Sequence, residues 1–320
     1  MTEIPTYHHD LGNGFSLDAY SLSPEIDKDK LREMVVERDA GERSIADLEK
    51  LTSDFQFAGK IDSLGDLKVE AVDKPYEVPE QLKPYRQALD EKLKAEGKFN
   101  GPVALLNGVF GTSMRLSQGG YFDFMATKLN VVPADLVSDK YPAGKTLKEL
   151  MPEFGITNEQ RARYFALAFA MTPSNRQEFG LVQRAKGLGI ASGVMSLSGA
   201  TPGFKKEFFK KGFDFRGYYE GIVEQEMEEE YALNPGEFRL GGAYLIDGES
   251  TVPHAAIRIE THLSMKELAE RNYGRTDAVN EHPILYSVNP RGINNLLNRF
   301  IGAMEPSSAF MIYITNKNVK

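Results

Sequence analysis

The spacing of hydrophobic and polar residues changes along the chain near residues 99–102. Before that point two segments have the spacing of amphipathic helices, residues 28–42 and residues 79–97, the second with proline near its start and glycine at its end. Residues 1–27 are polar without a clear period, and the segment between the two helices is charged and weakly patterned. The pattern predicts an N-terminal extension over residues 1–98 that is mainly helical where it is structured.

From residue 99 onward, short β-rich runs separated by glycines are interspersed with helical segments. The predicted strands cover residues 103–110, 180–184, 193–198, 242–246, 255–261 and 284–288. Helical spacing predicts helices over residues 146–153, 159–168, 215–233 and 293–300. Short strands mixed with several helices indicate an α/β fold with a mixed sheet, and residues 99–320 are predicted to form its main domain.

Composition supports a folded chain and excludes several classes of protein. The 320 residues are 41% hydrophobic, which is enough apolar material for a core, and they include no cysteine. Disulfides, thiol nucleophiles and cysteine zinc sites are therefore excluded. The N-terminus has no signal-peptide pattern and no run of about 18 apolar residues occurs, so we expect a cytoplasmic protein without a membrane span. The net charge of -8 argues against a nucleic-acid partner.

Several familiar motifs are incomplete in this sequence. Residues 143–146 read AGKT like the end of a phosphate-binding loop, but Asp139 stands where that motif requires its first glycine. A turn before the helix at 146–153 explains this segment better. The five histidines show no H-x-x-x-H spacing, so we expect surface or hydrogen-bonded side chains rather than metal ligands. The glycines that approximate a dinucleotide-binding fingerprint have the wrong final spacing: Gly187, Gly189 and Gly193.

The most informative segment is the predicted helix at 215–233, because six of its eleven residues from 220 to 230 are glutamate and none is basic. Without those six, 40 acidic residues remain against 38 basic ones, a difference of -2, so the acidity is concentrated here. At about 100° per residue, three glutamates share a side with the apolar residues: Glu226, Glu229 and Glu230. The other side is predicted to carry Glu220, Glu224 and Glu228, with Tyr231 beside them.

Carboxylates on the apolar side of a helix need compensation, because neighbouring buried like charges are costly. A cation would supply it, and all-oxygen ligands suit Mg²⁺ or Mn²⁺. The pattern therefore favours a metal site. A solvated acidic helix face is the alternative interpretation, since that is the usual role of a charge run.

Residues 225–233, QEMEEEYAL, resemble the core of the Nudix box, whose pattern ends R-E-U-x-E-E-x-G-U with U aliphatic. The three glutamates of the pattern are present, and Met227 and Leu233 occupy its aliphatic positions. Gln225 stands in place of the box arginine, and Ala232 in place of its glycine. The upstream half of the box cannot be aligned, because roughly a dozen residues are inserted there.

The flanking segments resemble the family as well, over residues 100–320 but not over 1–98. Residues 181–184 are similar to the strand before a Nudix box, and residues 193–199 to the strand that enters its glycine loop. The resemblance implies a Nudix-like α/β/α sandwich that hydrolyses a nucleoside diphosphate linked to another moiety. Dimers are common in the family, which makes a homodimer an expectation here.

The resemblance also implies roles for particular residues. Glu226 and Glu230 would be the main ligands of Mg²⁺ or Mn²⁺, and Glu229 a further ligand or a catalytic base beside Glu230. Arg184 and Gly199 would contact the substrate. A late loop supplies a second base in several members, and the residue at such a place here is Glu281.

The departures from the box leave two other hypotheses open. The chain could be a non-catalytic nucleotide-binding or regulatory protein with the same fold, or an interaction scaffold whose glutamate run is simply solvated. The inserted segment adds a basic cluster that would steer an anionic substrate or form a solvated loop. Its members are Lys205, Lys206, Lys210 and Lys211.

Overall fold

A computed structural model describes residues 3–39, 55–72, 74–110, 112–127, 145, 147–157, 160–163, 165–173, 177–186, 193–248 and 254–318. The strands in these ranges are β1 (Thr6–Gly12), β2 (Phe15–Ser21), β3 (Phe55–Ile61), β4 (Lys68–Ala71), β5 (Pro102–Phe110), β6 (Ser113–Gly120), β7 (Ala166–Pro173), β8 (Phe179–Gln183), β9 (Met195–Ser196), β10 (Ser198–Ala200), β11 (Phe238–Gly248), β12 (His254–Thr261) and β13 (Ile284–Val288). The helices are α1 (Lys28–Val36), α2 (Lys83–Ala95), α3 (Tyr121–Thr127), α4 (Leu147–Phe154), α5 (Phe215–Tyr231), α6 (Met265–Asn272), α7 (Thr276–Glu281), α8 (Ile293–Phe300) and α9 (Pro306–Asn318).

Ten of these strands form one mixed sheet. Its order is β1-β2-β13-β8-β7-β12-β11-β3, with β9 paired to β8 and β10 paired to β7. Within this described sheet, β7 and β12 are the parallel pair, and the other paired strands are antiparallel. The predicted mixed α/β fold is confirmed.

Helices cover both faces of the larger sheet. One face packs against α5, α6 and α7 through a cluster that includes Val223, Leu268 and Ala278. The other face packs against α1, α8 and α9 through a cluster that includes Leu31 and Ile312. The described chain thus has α/β/α layers. Among its helices, none is long and apolar enough to cross a membrane.

Residues 1–98 contribute four strands that the sequence pattern did not predict. β1, β2 and β3 belong to the larger sheet, and β4 pairs with β6 in a separate three-stranded sheet. The expected boundary near residue 98 therefore does not separate the two sheets. A signal for the β1–β2 hairpin was present in Gly12-Asn13-Gly14, whose three residues all have positive φ, as a tight hairpin turn requires.

A helix is found in each of the segments predicted at 28–42, 79–97, 146–153, 215–233 and 293–300, but α1 ends at Val36 although residues 37–39 are described, and α2 runs only from Lys83 to Ala95. The helix predicted over 159–168 is wrong, because residues 166–173 form strand β7. This strand lies between β8 and β12 and is buried for most of its length, so its continuous apolar run has no strand-like alternation. The sequence pattern also did not predict four helices and one later strand: α3, α6, α7, α9 and β6. Residues 143, 144, 146, 187 and 189, from the incomplete motifs, lie outside the described ranges.

Candidate active site

Helix α5 has well-formed ends. The side chain of Asp214 accepts a hydrogen bond from the backbone N–H of Gly217 at 2.9 Å and caps the N-terminus. At the C-terminus Ala232 adopts the left-handed conformation, with φ of 53°, and the backbone N–H of Leu233 bonds to the carbonyl of Met227 at 3.0 Å. The position where the Nudix box has glycine thus takes the backbone conformation that glycine favours.

One stripe of α5 packs on the sheet, and its position decides which glutamates are buried. The stripe consists of Tyr219, Val223, Met227 and Tyr231, each at most 2% exposed. The placement of Tyr231 on the outer side is wrong, since its hydroxyl donates to Ser198 Oγ in β10 at 2.7 Å. Its members are four residues apart. The buried side of α5 is therefore rotated about the helix axis, relative to the apolar side that the sequence pattern predicted.

Glu226 and Glu230 lie together beside this stripe. Glu230 is 4% exposed, and its Oε2 atom is buried without a hydrogen-bond partner among the described residues. Glu226 is half-buried and lies close enough to Glu230 for the two carboxyl groups to interact directly. Burial, followed by the negative charges of Glu230, Glu229 and Glu281, raises the pKa of Glu226 from 4.5 to about 8. Near neutral pH the pair therefore retains a proton.

His282 is a site residue that sequence reasoning missed. Its side chain is fully buried, and Nε2 lies 3.1 Å from Glu230 Oε1. Neither ring nitrogen makes a hydrogen bond with the described residues, so His282 lies beside Glu230 without being hydrogen-bonded to it. A histidine directly after Glu281 was the available signal, and its burial was not predictable from its neighbours.

The loop that follows α7 meets the loop that follows β8. The backbone N–H of Ala185 donates to the carbonyl of Glu281 at 2.9 Å. Arg184, the residue before it, is half-buried, and its Nε atom makes no hydrogen bond with the described residues. The structure therefore brings Arg184, through its neighbour Ala185, to the end of α7, where the charge of Glu281 also acts on the carboxyl of Glu226.

Two other predicted site residues have different surroundings. Glu229 is exposed and accepts a hydrogen bond from Gln225 Nε2 at 2.9 Å. Gly199 lies in β10, where an added Cβ would be 2.2 Å from the carbonyl oxygen of Leu167 in β7. Close packing of two backbones therefore explains this glycine, and its contact with substrate stays a prediction.

The inserted segment between β10 and α5 folds around an aromatic cluster. The buried ring of Phe208 contacts the rings of Phe213, Phe215 and Tyr218 at centroid distances of 5.0–5.3 Å. Lys205 lies over the Tyr218 ring, with Nζ 4.6 Å from its centroid. The other lysines of the segment are exposed, which favours the solvated-loop interpretation of the basic cluster.

The donor atoms at Glu226 and Glu230 fit a hard divalent cation in part. Two adjacent carboxylates, one with a buried oxygen that lacks a partner, are the ligand type that Mg²⁺ and Mn²⁺ prefer. However, within the described residues no three or more carboxylate or histidine side chains are grouped as a ready metal centre. Mg²⁺ often binds one or two protein carboxylates and completes its coordination shell with water and phosphate oxygens. The two carboxylates could therefore supply the protein ligands of such an ion.

Comparison with known proteins finds similarity only at the level of solved structures. No family model and no curated protein matches the sequence. DR0079 from Deinococcus radiodurans is 12% identical, with 48% of this chain and 82% of that one covered and a TM-score of 0.34. The NUDIX domain of Shewanella oneidensis NrtR, complexed with ADP ribose, is 12% identical over 50% of this chain and 90% of that domain, with a TM-score of 0.30. Similarity this low carries no information about activity.

Proposed function

We propose that this protein is a metal-dependent hydrolase of a nucleoside diphosphate linked to another moiety, with Mg²⁺ or Mn²⁺ held by Glu226 and Glu230. The observation that carries the proposal is the buried Glu230 carboxylate, which has an oxygen without a partner beside a second carboxylate. A divalent cation would compensate both carboxylates and take the place of the proton that the pair otherwise retains near neutral pH. The resemblance of residues 225–233 to the Nudix box supplies the type of reaction.

A divalent ion bound there would stabilise charge on a phosphate group and lower the pKa of a coordinated water. Glu281 is the candidate base that the chain offers beside this pair, because its charge acts on Glu226 across the gap between α7 and α5. Arg184, next to it, is the candidate contact for a phosphate group. Glu229, which is hydrogen-bonded to Gln225, is proposed as a ligand or base that would change partner when the ion binds.

Two features of α5 and its surroundings favour a second function, which is nucleotide binding without hydrolysis. Gln225 occupies the position of the box arginine and engages Glu229, and the described residues contain no grouped third ligand. These features support a nucleotide-binding or regulatory protein without hydrolytic activity. The two functions differ in whether ligand binding requires the metal.

Manganese titration tests the proposed site directly. We expect one Mn²⁺ site per chain in the wild type, with affinity reduced at least about tenfold in Glu230→Gln because a main ligand is lost. Glu228→Gln is the matched control, since Glu228 is an exposed glutamate of the same helix. Unchanged Mn²⁺ binding in Glu230→Gln would overturn the site.

Turnover separates the two functions. Product release would be measured from nucleotide sugars and dinucleoside polyphosphates with Mg²⁺ and with Mn²⁺. The hydrolase proposal expects turnover that Glu230→Gln lowers by about 100-fold and Glu228→Gln leaves unchanged. The alternative result is that a nucleotide stabilises the protein equally with and without EDTA, and that no substrate is turned over. That result would support the binding protein.

A further inference from the structure

A cavity of about 420 Å³ opens where β7 and β12 end. These two strands run parallel, and their last residues, Pro173 and Thr261, both line the cavity. The carboxyl ends of parallel strands are a common place for ligand sites in α/β sheets, because the connections diverge there and leave a crevice. The volume is in the range of small-molecule sites.

The arginine-bearing side of this cavity lies on the face of the sheet opposite to α5, whereas Phe238, another lining residue, packs against the cluster on the α5 face. Ile257 and Ile259 of β12 pack in the cluster that contains the α5 residues. Because side chains alternate along a strand, Arg258 and Glu260 point to the other face, and they line the cavity together with Ile293 of α8. The cavity is therefore separate from the carboxylate pair of α5.

Two arginines in the cavity share one carboxylate. Glu260, whose side chain is 11% exposed, lies between Arg239 Nε at 2.5 Å and an Arg258 terminal nitrogen at 2.5 Å. Arg258 Nε is buried and makes no hydrogen bond with the described residues. One carboxylate neutralises only one of two guanidinium charges, and each guanidinium has five N–H donors. The group therefore has donors and a positive charge left for an anion.

The other carboxylates of the cavity wall are already engaged. Glu178 accepts a hydrogen bond from the backbone N–H of Met265 at 2.9 Å, at the start of α6. Glu237 accepts hydrogen bonds from the backbone and side chain of Asn234 and from Arg271, which lower the pKa of Glu237 to about 2. Among the described contacts, neither carboxylate forms an ion pair with Arg239 or Arg258.

The backbone of β11 makes room for the arginine pair. The pairing of β11 with β12 shifts register between Leu240 and Ala243, and a Cβ added to Gly241 would lie 2.8 Å from Arg258 Nε. Beyond this shift a second cavity of about 400 Å³ adjoins the first and shares Arg239, Arg258 and Glu260 with it. Both arginines thus face open space.

We propose that the cavity binds a small organic anion. Its carboxylate or phosphate group would pair with Arg239 and Arg258 beside Glu260. Its apolar body would lie against Phe179 and Ile293, two apolar residues of the lining that belong to the same hydrophobic cluster. Planar bidentate pairing is the geometry for which guanidinium groups are suited.

Calorimetry with three related probes tests this site: benzoate, phenyl phosphate and uncharged benzyl alcohol. The two anions are expected to bind more tightly than the alcohol. Arg239→Gln should weaken anion binding about tenfold, because a charged hydrogen-bonding partner is lost. Arg239 has a side chain that is 75% exposed, so this variant is expected to fold. Glu260→Gln should strengthen anion binding about fivefold or more, because the competing carboxylate is removed.

The controls separate this site from other arginines and from the α5 site. Arg115→Gln, which removes an exposed arginine paired with Glu70 in the smaller sheet, should bind the anions like the wild type. Glu230→Gln should also leave anion binding unchanged, which distinguishes failure here from failure of the proposed hydrolase. A preference for benzoate identifies a carboxylate ligand, and a preference for phenyl phosphate a phosphate ligand.

Two results would overturn the proposal. The first is that both proteins, the wild type and Glu260→Gln, bind the two anions no more tightly than benzyl alcohol. Circular dichroism would check that Glu260→Gln is folded. The other is that Arg239→Gln binds both anions with wild-type affinity.

Discussion

Asp39 and Glu230 are both buried carboxylates, with side chains 7% and 5% exposed, but their surroundings differ. Asp39 accepts a hydrogen bond from Arg299 Nε at 3.0 Å and lies 2.7 Å from His9 Nε2. Glu230 instead lies beside another carboxylate and has an oxygen without a partner in the described chain.

The difference indicates two roles for burial. The partners of Asp39 come from β1 and α8, so this carboxylate ties the hairpin at the sheet edge to the helical layer. Such an ion pair contributes to the fold as long as it stays complete. A buried carboxylate without hydrogen-bonded basic partners does not join elements of the fold in this way. Ionisable groups with such unfavourable surroundings occur mostly at functional sites. The contrast is the main structural reason to place chemistry at Glu230.

The largest effect on stability is expected from Asp39→Asn. It leaves the Arg299 and His9 side chains without their anion, and the free energy of unfolding should fall by about 3 kcal/mol. Urea denaturation measures this change. The matched control is Asp18→Asn, which removes the partner of the exposed His8 side chain and should cost less than about 1 kcal/mol. Equal effects of the two variants would show that burial of Asp39 is not what matters.

Glu230→Gln should have the opposite or no effect on stability in the metal-free protein. It removes a negative charge next to Glu226, and the free energy of unfolding should stay constant or rise by up to about 1 kcal/mol. The same urea measurement, made in EDTA, checks this. A loss of more than about 1 kcal/mol would mean that the contact with His282 stabilises the fold and that the contrast with Asp39 does not hold.

A dependence of stability on pH is also expected, and it arises from Glu226. Its folded-state pKa of about 8 lies above the ordinary 4.5, so between these values the folded chain holds a proton that the unfolded chain has released. Its contribution to stability is therefore fully present below pH 4.5 and is lost as the pH rises through 8.

The measurement is the free energy of unfolding of the metal-free protein at several pH values between pH 5 and pH 8.5. The slope of this free energy against pH is compared between the wild type and two variants. Glu226→Gln should flatten the decline in stability, whereas Glu228→Gln, an exposed neighbour on the same helix, should not change it. A decline of equal slope in wild type and Glu226→Gln would place the responsible group elsewhere.

Local patterns predicted much of the architecture. Helices α5 and α8 and strand β13 were anticipated within two residues at each end, because their periodicity and end signals are contained in their own sequence. Strand β7 was mistaken for a helix, since burial on both faces removes the alternation that identifies a strand. The four strands before residue 98 were missed because three of them, β2, β3 and β4, pair with strands that come much later in the chain.

The candidate site shows the same division. Sequence alone determined that an acidic helix would follow the inserted segment, and that Glu226 and Glu230 would share its apolar side. Only the tertiary structure decided that Glu230 is buried against His282, that Glu229 is exposed, and which strand ends open into the arginine-lined cavity. The physical reason is that helical periodicity acts between residues three or four apart, whereas burial and charge compensation depend on segments that meet only when the sheet is assembled.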